Sequence, residues 1–300
     1  MIKTRILVIG SNGMLGQRLA QYYASRRDKF ELLCASIEKE SAIESVPYKT
    51  VDITDKNSVK KIILDFFPDF VINAAAYTNV DKAETEREEA WKLNVTGVEN
   101  LAFYSWTIDA HLIHISTDYI FDGKNGPYIE TDRPCPISYY GRTKLAAENS
   151  IRANGVRYTI LRTNVLYGPA KGGKPDFVKW VINSLKENKV INIVTDQFNN
   201  PTFTDDLVNG IAKTIEFRKE GIYNIGGKEI LSRYEFTQRI ADYFKLDKKL
   251  IRPVLTKDLN QPAPRPLKSG LIILKASTEL GYQPHSIEET FAIIKSDLNF

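Results

Sequence analysis

Gly10-Ser11-Asn12-Gly13-Met14-Leu15-Gly16 stands directly after the apolar run at residues 5–9 and opens a helical pattern over 14–25. No other feature limits the chain so tightly. Glycines at these spacings permit a sharp strand-to-helix turn, close approach of backbone to a pyrophosphate, and tight packing of helix on strand. The phosphates then rest on free N–H groups at the positive end of the helix. A glycine loop alone is weak evidence, because turns collect glycine. Its place after a first strand and before a helix points to a dinucleotide.

The following residues repeat the strand–helix rhythm. Apolar or β-branched strands are expected at 31–35, at a short run ending at Val51-Asp52, and at 70–74, 112–116 and 158–162. Helical spacing covers 58–66, 86–104 and 139–153. Such alternation predicts an α/β fold, a Rossmann-type doubly wound parallel sheet with helices on both faces, over residues 1–168. After Gly168 the rhythm breaks into Gly/Pro loop chemistry. A smaller, α-rich substrate lobe is expected from 169–202 and 219–300, with a helix at 203–218 returning to the first domain.

Composition removes other classes. With 43% hydrophobic and 26% charged residues the chain can bury a core, so disorder is excluded. A net charge of +4 without long single-sign runs gives no electrostatic reason to expect nucleic acid or an anionic membrane as a partner. No stretch approaches the roughly 20 apolar residues of a membrane span. Cys34 and Cys135 form no C-x-x-C pair or disulfide framework, which suits a reducing, cytoplasmic setting. His111, His114 and His285 make no metal-ligand pattern, and no metal is expected. Strand packing is the reading for His111 and His114.

Two tyrosines stand four residues before a lysine. In Tyr167-Gly168-Pro169-Ala170-Lys171 the Gly-Pro step denies a helix. Tyr140-Gly141-Arg142-Thr143-Lys144 instead begins a helix behind Ser138, so both side chains project from one face. A lysine ammonium beside the phenol would lower the tyrosine pKa and make Tyr140 a usable general acid for carbonyl reduction. Gly168-x4-Gly173-Lys174 mimics a phosphate loop, but Pro175 supplies neither hydroxyl nor N–H. The cofactor's 2′ position is read less directly. Ser36 and Lys39 are placed to hold a 2′-phosphate, favouring NADPH over NADH; a shift of one or two residues would instead put Glu38 on a free ribose.

Together the glycine loop, Asn73-Ala74-Ala75-Ala76, Asn94, Ser116-Thr117-Asp118 and Tyr140/Lys144 resemble an extended short-chain dehydrogenase/reductase. The finer resemblance is to the dTDP-4-dehydrorhamnose reductase group. It rests on the runs Ala76 to Glu84 and Ile115 to Gly123, on Tyr140 to Lys144, on Asp196-Gln197-Phe198 with Pro201-Thr202, and on Arg265-Pro266. The resemblance implies hydride transfer to a nucleotide-sugar C4 carbonyl, with Thr117, Tyr140 and Lys144 as the catalytic set. It implies cofactor contacts from Gly10, Asn12, Gly13, Met14, Leu15, Gly16, Ser36, Asp52, Ile53, Ala74, Ala75, Ala76, Asn94, Tyr140 and Lys144. Substrate contacts are implied for Thr78, Val80, Asp81, Thr117, Tyr119, Gln197 and Arg265. It leaves room for a homodimer.

Two positions depart from the group. Val165 stands where a Trp is usual, and Pro175-Asp176-Phe177 replaces Asn-Asn-Phe. Loss of the sugar pocket's aromatic wall and an extra carboxylate facing the ligand are the expected consequences. Alternatives are a nucleotide-sugar 4-epimerase, or a non-catalytic NADP-binding regulatory subunit. A 4,6-dehydratase is disfavoured because Asp118 is followed by Tyr119 rather than by a second carboxylate.

Overall fold

A computed structural model describes residues 2–297. Its strands are β1 (Thr4–Ile9), β2 (Phe30–Ser36), β3 (Tyr48–Thr50), β4 (Phe70–Asn73), β5 (His111–Thr117), β6 (Tyr158–Thr163), β7 (Ile191–Val194), β8 (Phe198–Asn199), β9 (Gly221–Asn224), β10 (Leu231–Ser232) and β11 (Ile251–Val254). The helices are α1 (Met14–Ala24), α2 (Lys56–Phe66), α3 (Arg87–Trp91), α4 (Gly97–Thr107), α5 (Tyr139–Asn154), α6 (Phe177–Lys186), α7 (Thr204–Glu216), α8 (Arg233–Phe244), α9 (Leu274–Leu280) and α10 (Ile287–Asp297).

Seven strands form one parallel sheet in the order β3-β2-β1-β4-β5-β6-β9. Alternate residues of β1 serve opposite faces. Ile6 and Val8 pack with α1, α7 and α9, whereas Leu7 and Ile9 pack with α2, α4 and α5. Burial on both faces is why the strand reads as a continuous apolar run. The order reverses beside β1, so the crevice at the carboxyl ends of β1, β4 and β5 is the ligand position of this topology.

The second lobe has its own core, in which α6, α8 and α10 cover the parallel pair β7–β11. A short antiparallel pair joins β8 to β10.

Two expectations need correction. The lobe drawn as 219–300 is interrupted, because Gly221–Asn224 pairs with β6 as the edge strand of the main sheet. Tyr223 and Ile225 lie in the same apolar core as α1 and α7, and α9 joins them. The 86–104 helix is also not uniform. A π-helical turn, Lys92–Thr96, separates α3 from α4. It adds a residue to the 3.6 period, which leaves Leu93 half-buried and turns Asn94 inward.

Candidate active site

The glycine loop is shaped by contacts that admit no side chain. Gly10 has φ +76°, and a Cβ there would lie 2.6 Å from the Ala75 nitrogen; one on Gly16 would lie 2.1 Å from the Gly10 carbonyl oxygen. α1 begins with neither a side-chain cap nor an acidic residue in its first turn, so the Met14 and Leu15 end of the helix keeps its positive character. The Ser11 hydroxyl is buried in this loop without a partner. A cradle without side chains, an uncapped helix and an orphaned donor together fit a diphosphate.

Asn12 is turned away from the cradle. Its amide nitrogen donates to the Glu38 carboxylate (3.2 Å) and the Glu40 carbonyl (2.8 Å), and its oxygen accepts from Ala42 N–H (2.9 Å). It ties the glycine loop to the segment after β2. A bond from the Ser36 hydroxyl holds the Glu38 carboxyl below its ordinary value, with Asn12 helping. Ser36 therefore presents a carboxylate at the end of β2. This is the geometry of the alternative in which Glu38 meets the ribose, and Lys39 stays exposed.

Farther along the crevice the expected contacts differ in kind. Asp52 accepts from the Thr54 backbone (2.8 Å) and hydroxyl (2.7 Å). The Ile53 side chain is core, packed so closely under α4 that a Cβ on Gly97 would meet it at 2.6 Å. Ala74, Ala75 and Ala76 are half-buried at the mouth of β4. Asn94, expected at the dinucleotide, has its amide engaged by the protein: it accepts from Tyr77 N–H (2.8 Å) and donates to the Tyr77 carbonyl (3.1 Å) and the Thr143 hydroxyl (2.9 Å). These bonds join the chain after β4 to α5.

Thr117, Tyr140 and Lys144 meet where β5 faces α5. Ser138 caps α5 by accepting from Gly141 N–H (3.2 Å), so the helix starts at Tyr139, as its sequence suggests. A Thr117–Tyr140 hydrogen bond lowers the phenol's pKa, but desolvation by burial outweighs it and holds the group above its ordinary value. Lys144 does not offset this. Its ammonium position lies against β5, donating to the Ile115 carbonyl (2.7 Å) with His114 Nε2 at 3.3 Å, and burial lowers it to about 8. The expected lowering of Tyr140 by Lys144 is therefore absent from this arrangement. The physical reason is that β5 offers the buried lysine a nearer acceptor.

Behind this set lies the ion pair of Arg162 and Glu148 (2.8 Å), both fully buried, with Ser116 also donating to Glu148. Tyr167 is core: its hydroxyl bonds Thr290 (2.9 Å) and its ring packs on Phe203 and Phe236.

A cavity of about 380 Å³ lies next to the Tyr119 ring. Thr78, Val80, Asp81, Tyr119, Gln197 and Arg265, all anticipated, line it. Tyr119 joins the two regions, packing edge-on against the Tyr140 ring at 5.7 Å. Arg265 is already paired with Asp81 (2.7 Å), and Gln197 donates to Thr256 (3.0 Å). Sequence reading missed Arg233, which lines the cavity from the start of α8 and lies over the Phe177 ring at 4.6 Å. No spacing rule connects a residue on α8 to Tyr119.

The two departures also resolve differently from expectation. Phe177 and Trp180 of α6 supply aromatic walls to the cavity. Asp176 does not reach for a ligand: it caps α6, accepting from Lys179 N–H (3.0 Å). The 169–175 loop crosses α1, where Gln17 and the Lys171 backbone exchange two hydrogen bonds of 2.9 Å. Among the described residues no His/Cys/Asp/Glu group is arranged to hold a metal, and no helix is long and apolar enough to cross a membrane.

Comparison with known proteins agrees with this architecture. The chain is 33% identical to a dTDP-4-dehydrorhamnose reductase of Aggregatibacter actinomycetemcomitans, over 97% of this chain and 98% of that one. It is 32% identical to the bovine (Bos taurus) methionine adenosyltransferase 2 subunit beta, over 83% of this chain and 75% of that one. A crystal structure of dTDP-4-dehydrorhamnose reductase from Bacillus anthracis in complex with NADP superposes with a TM-score of 0.88 at 31% identity, covering 99% of this chain and all of that one. The model of the RmlD substrate binding domain matches residues 4–298, nearly the whole length, and the chain belongs to that family.

Proposed function

We propose that the protein reduces the C4 carbonyl of a nucleotide-linked 4-keto-6-deoxy sugar, using NADPH or NADH. One observation carries this reading. The Thr117–Tyr140 pair stands directly behind Tyr119, which lines a cavity that also holds Arg233 and Arg265. A proton donor for a carbonyl and guanidinium groups suited to a diphosphate thus lie on either side of one tyrosine ring.

In this reading the backbone of Gly10, Gly13, Met14, Leu15 and Gly16 receives the cofactor diphosphate, with Asn12 bracing the loop. Ser36 and Glu38 meet the adenosine ribose, Asp52 and Ile53 border the adenine, and Ala74, Ala75 and Ala76 line the trough. When bound, the reduced dinucleotide supplies a hydride. Lys144 holds the nicotinamide ribose, Tyr140 gives its proton to the forming alkoxide, and Thr117 donates to the same oxygen. Thr78, Val80, Asp81, Tyr119 and Gln197 surround the sugar and its nucleotide. Two unpaired cysteines support a reducing compartment, the cytoplasm, and size-exclusion chromatography tests assembly as a homodimer.

The test is NADPH oxidation against a panel of nucleotide 4-keto-6-deoxy sugars. Reduction of at least one at the C4 position supports the assignment. NADPH binding without reduction of any would favour the regulatory reading, for which the likeness to the methionine adenosyltransferase subunit is the support.

A further inference from the structure

His114 is fully buried in β5, opposite Asn73 of β4 in the sheet register, and its two ring nitrogens face different partners. Nδ1 lies 3.2 Å from the Asn73 amide nitrogen, and Nε2 lies 3.3 Å from Lys144 Nζ. The orientation of the Asn73 amide is not free. Its Oδ1 accepts from Ala75 N–H (3.1 Å), and a backbone N–H can only donate, so the amide NH₂ must face His114. Nδ1 is therefore the acceptor, and the neutral ring carries its proton on Nε2.

That proton points at a lysine. Against an ammonium, two donors would oppose each other in a dry pocket; against an amine, Nε2–H donates into the nitrogen lone pair while Lys144 donates onward to Ile115. The other groups around Lys144 are accounted for. On α5, Glu148 favours the charged lysine, but its carboxylate is shared with Arg162 of β6 and Ser116 of β5. Tyr140, one turn earlier, is a neutral phenol bonded to Thr117, with Asp118 beyond it. At the helix start, Glu84 accepts from Tyr139 N–H. Burial, with Lys144 adding to it, holds His114 well below its ordinary value, so the ring stays neutral.

We propose that His114 is a positioning residue for proton transfer: with its tautomer held by Asn73, it donates Nε2–H to Lys144 and so sets the proton count of the Tyr140–Lys144 pair. The proposal rests on the reductase reading for its consequence. In reduction, the Tyr140 O–H bond breaks and its proton joins the substrate oxygen, as the carbonyl carbon takes the hydride. The electron pair left on the phenolate is stabilised by a charged Lys144 once its side chain leaves the Ile115 carbonyl, its partner in the unliganded arrangement. An amine there slows the step, so the alkaline limb of kcat follows Lys144, and His114 draws that limb toward neutral pH.

Two substitutions remove the opposing donor by different routes. Asn73→Asp keeps an acceptor for Ala75 N–H but turns the other oxygen into an acceptor for Nδ1–H, which leaves a lone pair on Nε2 facing Lys144. His114→Leu removes the ring. In unliganded protein, lysine labelled with ¹³C at Cε, with Lys144 assigned from Lys144→Arg, should titrate in both variants about one pH unit higher than in the unmodified chain, a tenfold gain in proton affinity. Ring ¹⁵N shifts should place the His114 proton on Nε2 in the unmodified chain and on Nδ1 in Asn73→Asp. The alkaline limb of kcat should move the same way. A merely structural role would lower its amplitude without moving it. The proposal is overturned if Lys144 titrates alike in every folded variant, or if the unmodified His114 carries its proton on Nδ1. If the titrations shift as stated but no ketosugar is reduced, the proposal stands and the reductase reading falls.

Discussion

At the scale of single residues, Tyr140 and Tyr167 share a spacing to lysine but not an environment. Tyr140→Phe removes a proton donor while leaving the glycine loop intact. Single-turnover NADPH oxidation with a reducible ketosugar should therefore fall by about 10²–10⁴ with cofactor affinity little changed. Tyr167→Phe loses only the bond to Thr290, so turnover should persist while stability drops by about 1 kcal/mol in urea. Normal turnover by Tyr140→Phe would remove this tyrosine from the mechanism. Glu38 makes a second residue-scale case. Its carboxylate, held by Ser36 and Asn12, would accept from a free ribose and repel a 2′-phosphate. Glu38→Gln should tighten NADPH relative to NADH by about fivefold, the scale of one exposed charge contact, as read by fluorescence titration. An unchanged ratio would take Glu38 out of cofactor choice. Ser36 and Glu38 were both visible in the sequence as alternatives, but their pairing was not, because the turn after β2 decides which side chain faces back.

Among the elements, α5 holds the site by what lies behind it. Arg162 at the end of β6 and Glu148 of α5 form a pair with no access to water, joined by Ser116 from β5. Glu148→Gln leaves a buried guanidinium without its counter-charge and should cost about 3–5 kcal/mol in urea unfolding. Replacing both partners with Leu and Met should cost far less, because no charge is then stranded. Equal losses in the two variants would mean that the pair acts through packing alone. The elements themselves were largely legible: the start of α5 is written in Ser138, and the strands in their apolar runs. The π-helical turn was not. Sequence periodicity averages over an inserted residue, whereas the bonds of Asn94 to Tyr77 and Thr143 need it in place.

For the whole molecule, the boundary between the lobes is a matter of contacts rather than of chain order. Gly221–Asn224 closes the main sheet beside β6, and Tyr223, Ile225 and α9 complete one of its two cores. A chain cut after residue 218 should consequently fail to give a cooperative unfolding transition, as read by circular dichroism; a cooperative transition would show that β9 is dispensable. Local sequence was sufficient for the strand–loop–helix around Gly10–Gly16, for the parallel α/β class and for the helical Tyr140–Lys144 pair. Each depends on spacing and on backbone freedom within a few residues. Tertiary structure alone decided that Lys144 faces His114 and Ile115, that Arg233 shares a cavity with Tyr119, and that β9 returns to the first sheet. Those outcomes depend on which distant side chains are brought into a dry interior, where a buried donor must take whichever acceptor the fold places nearest.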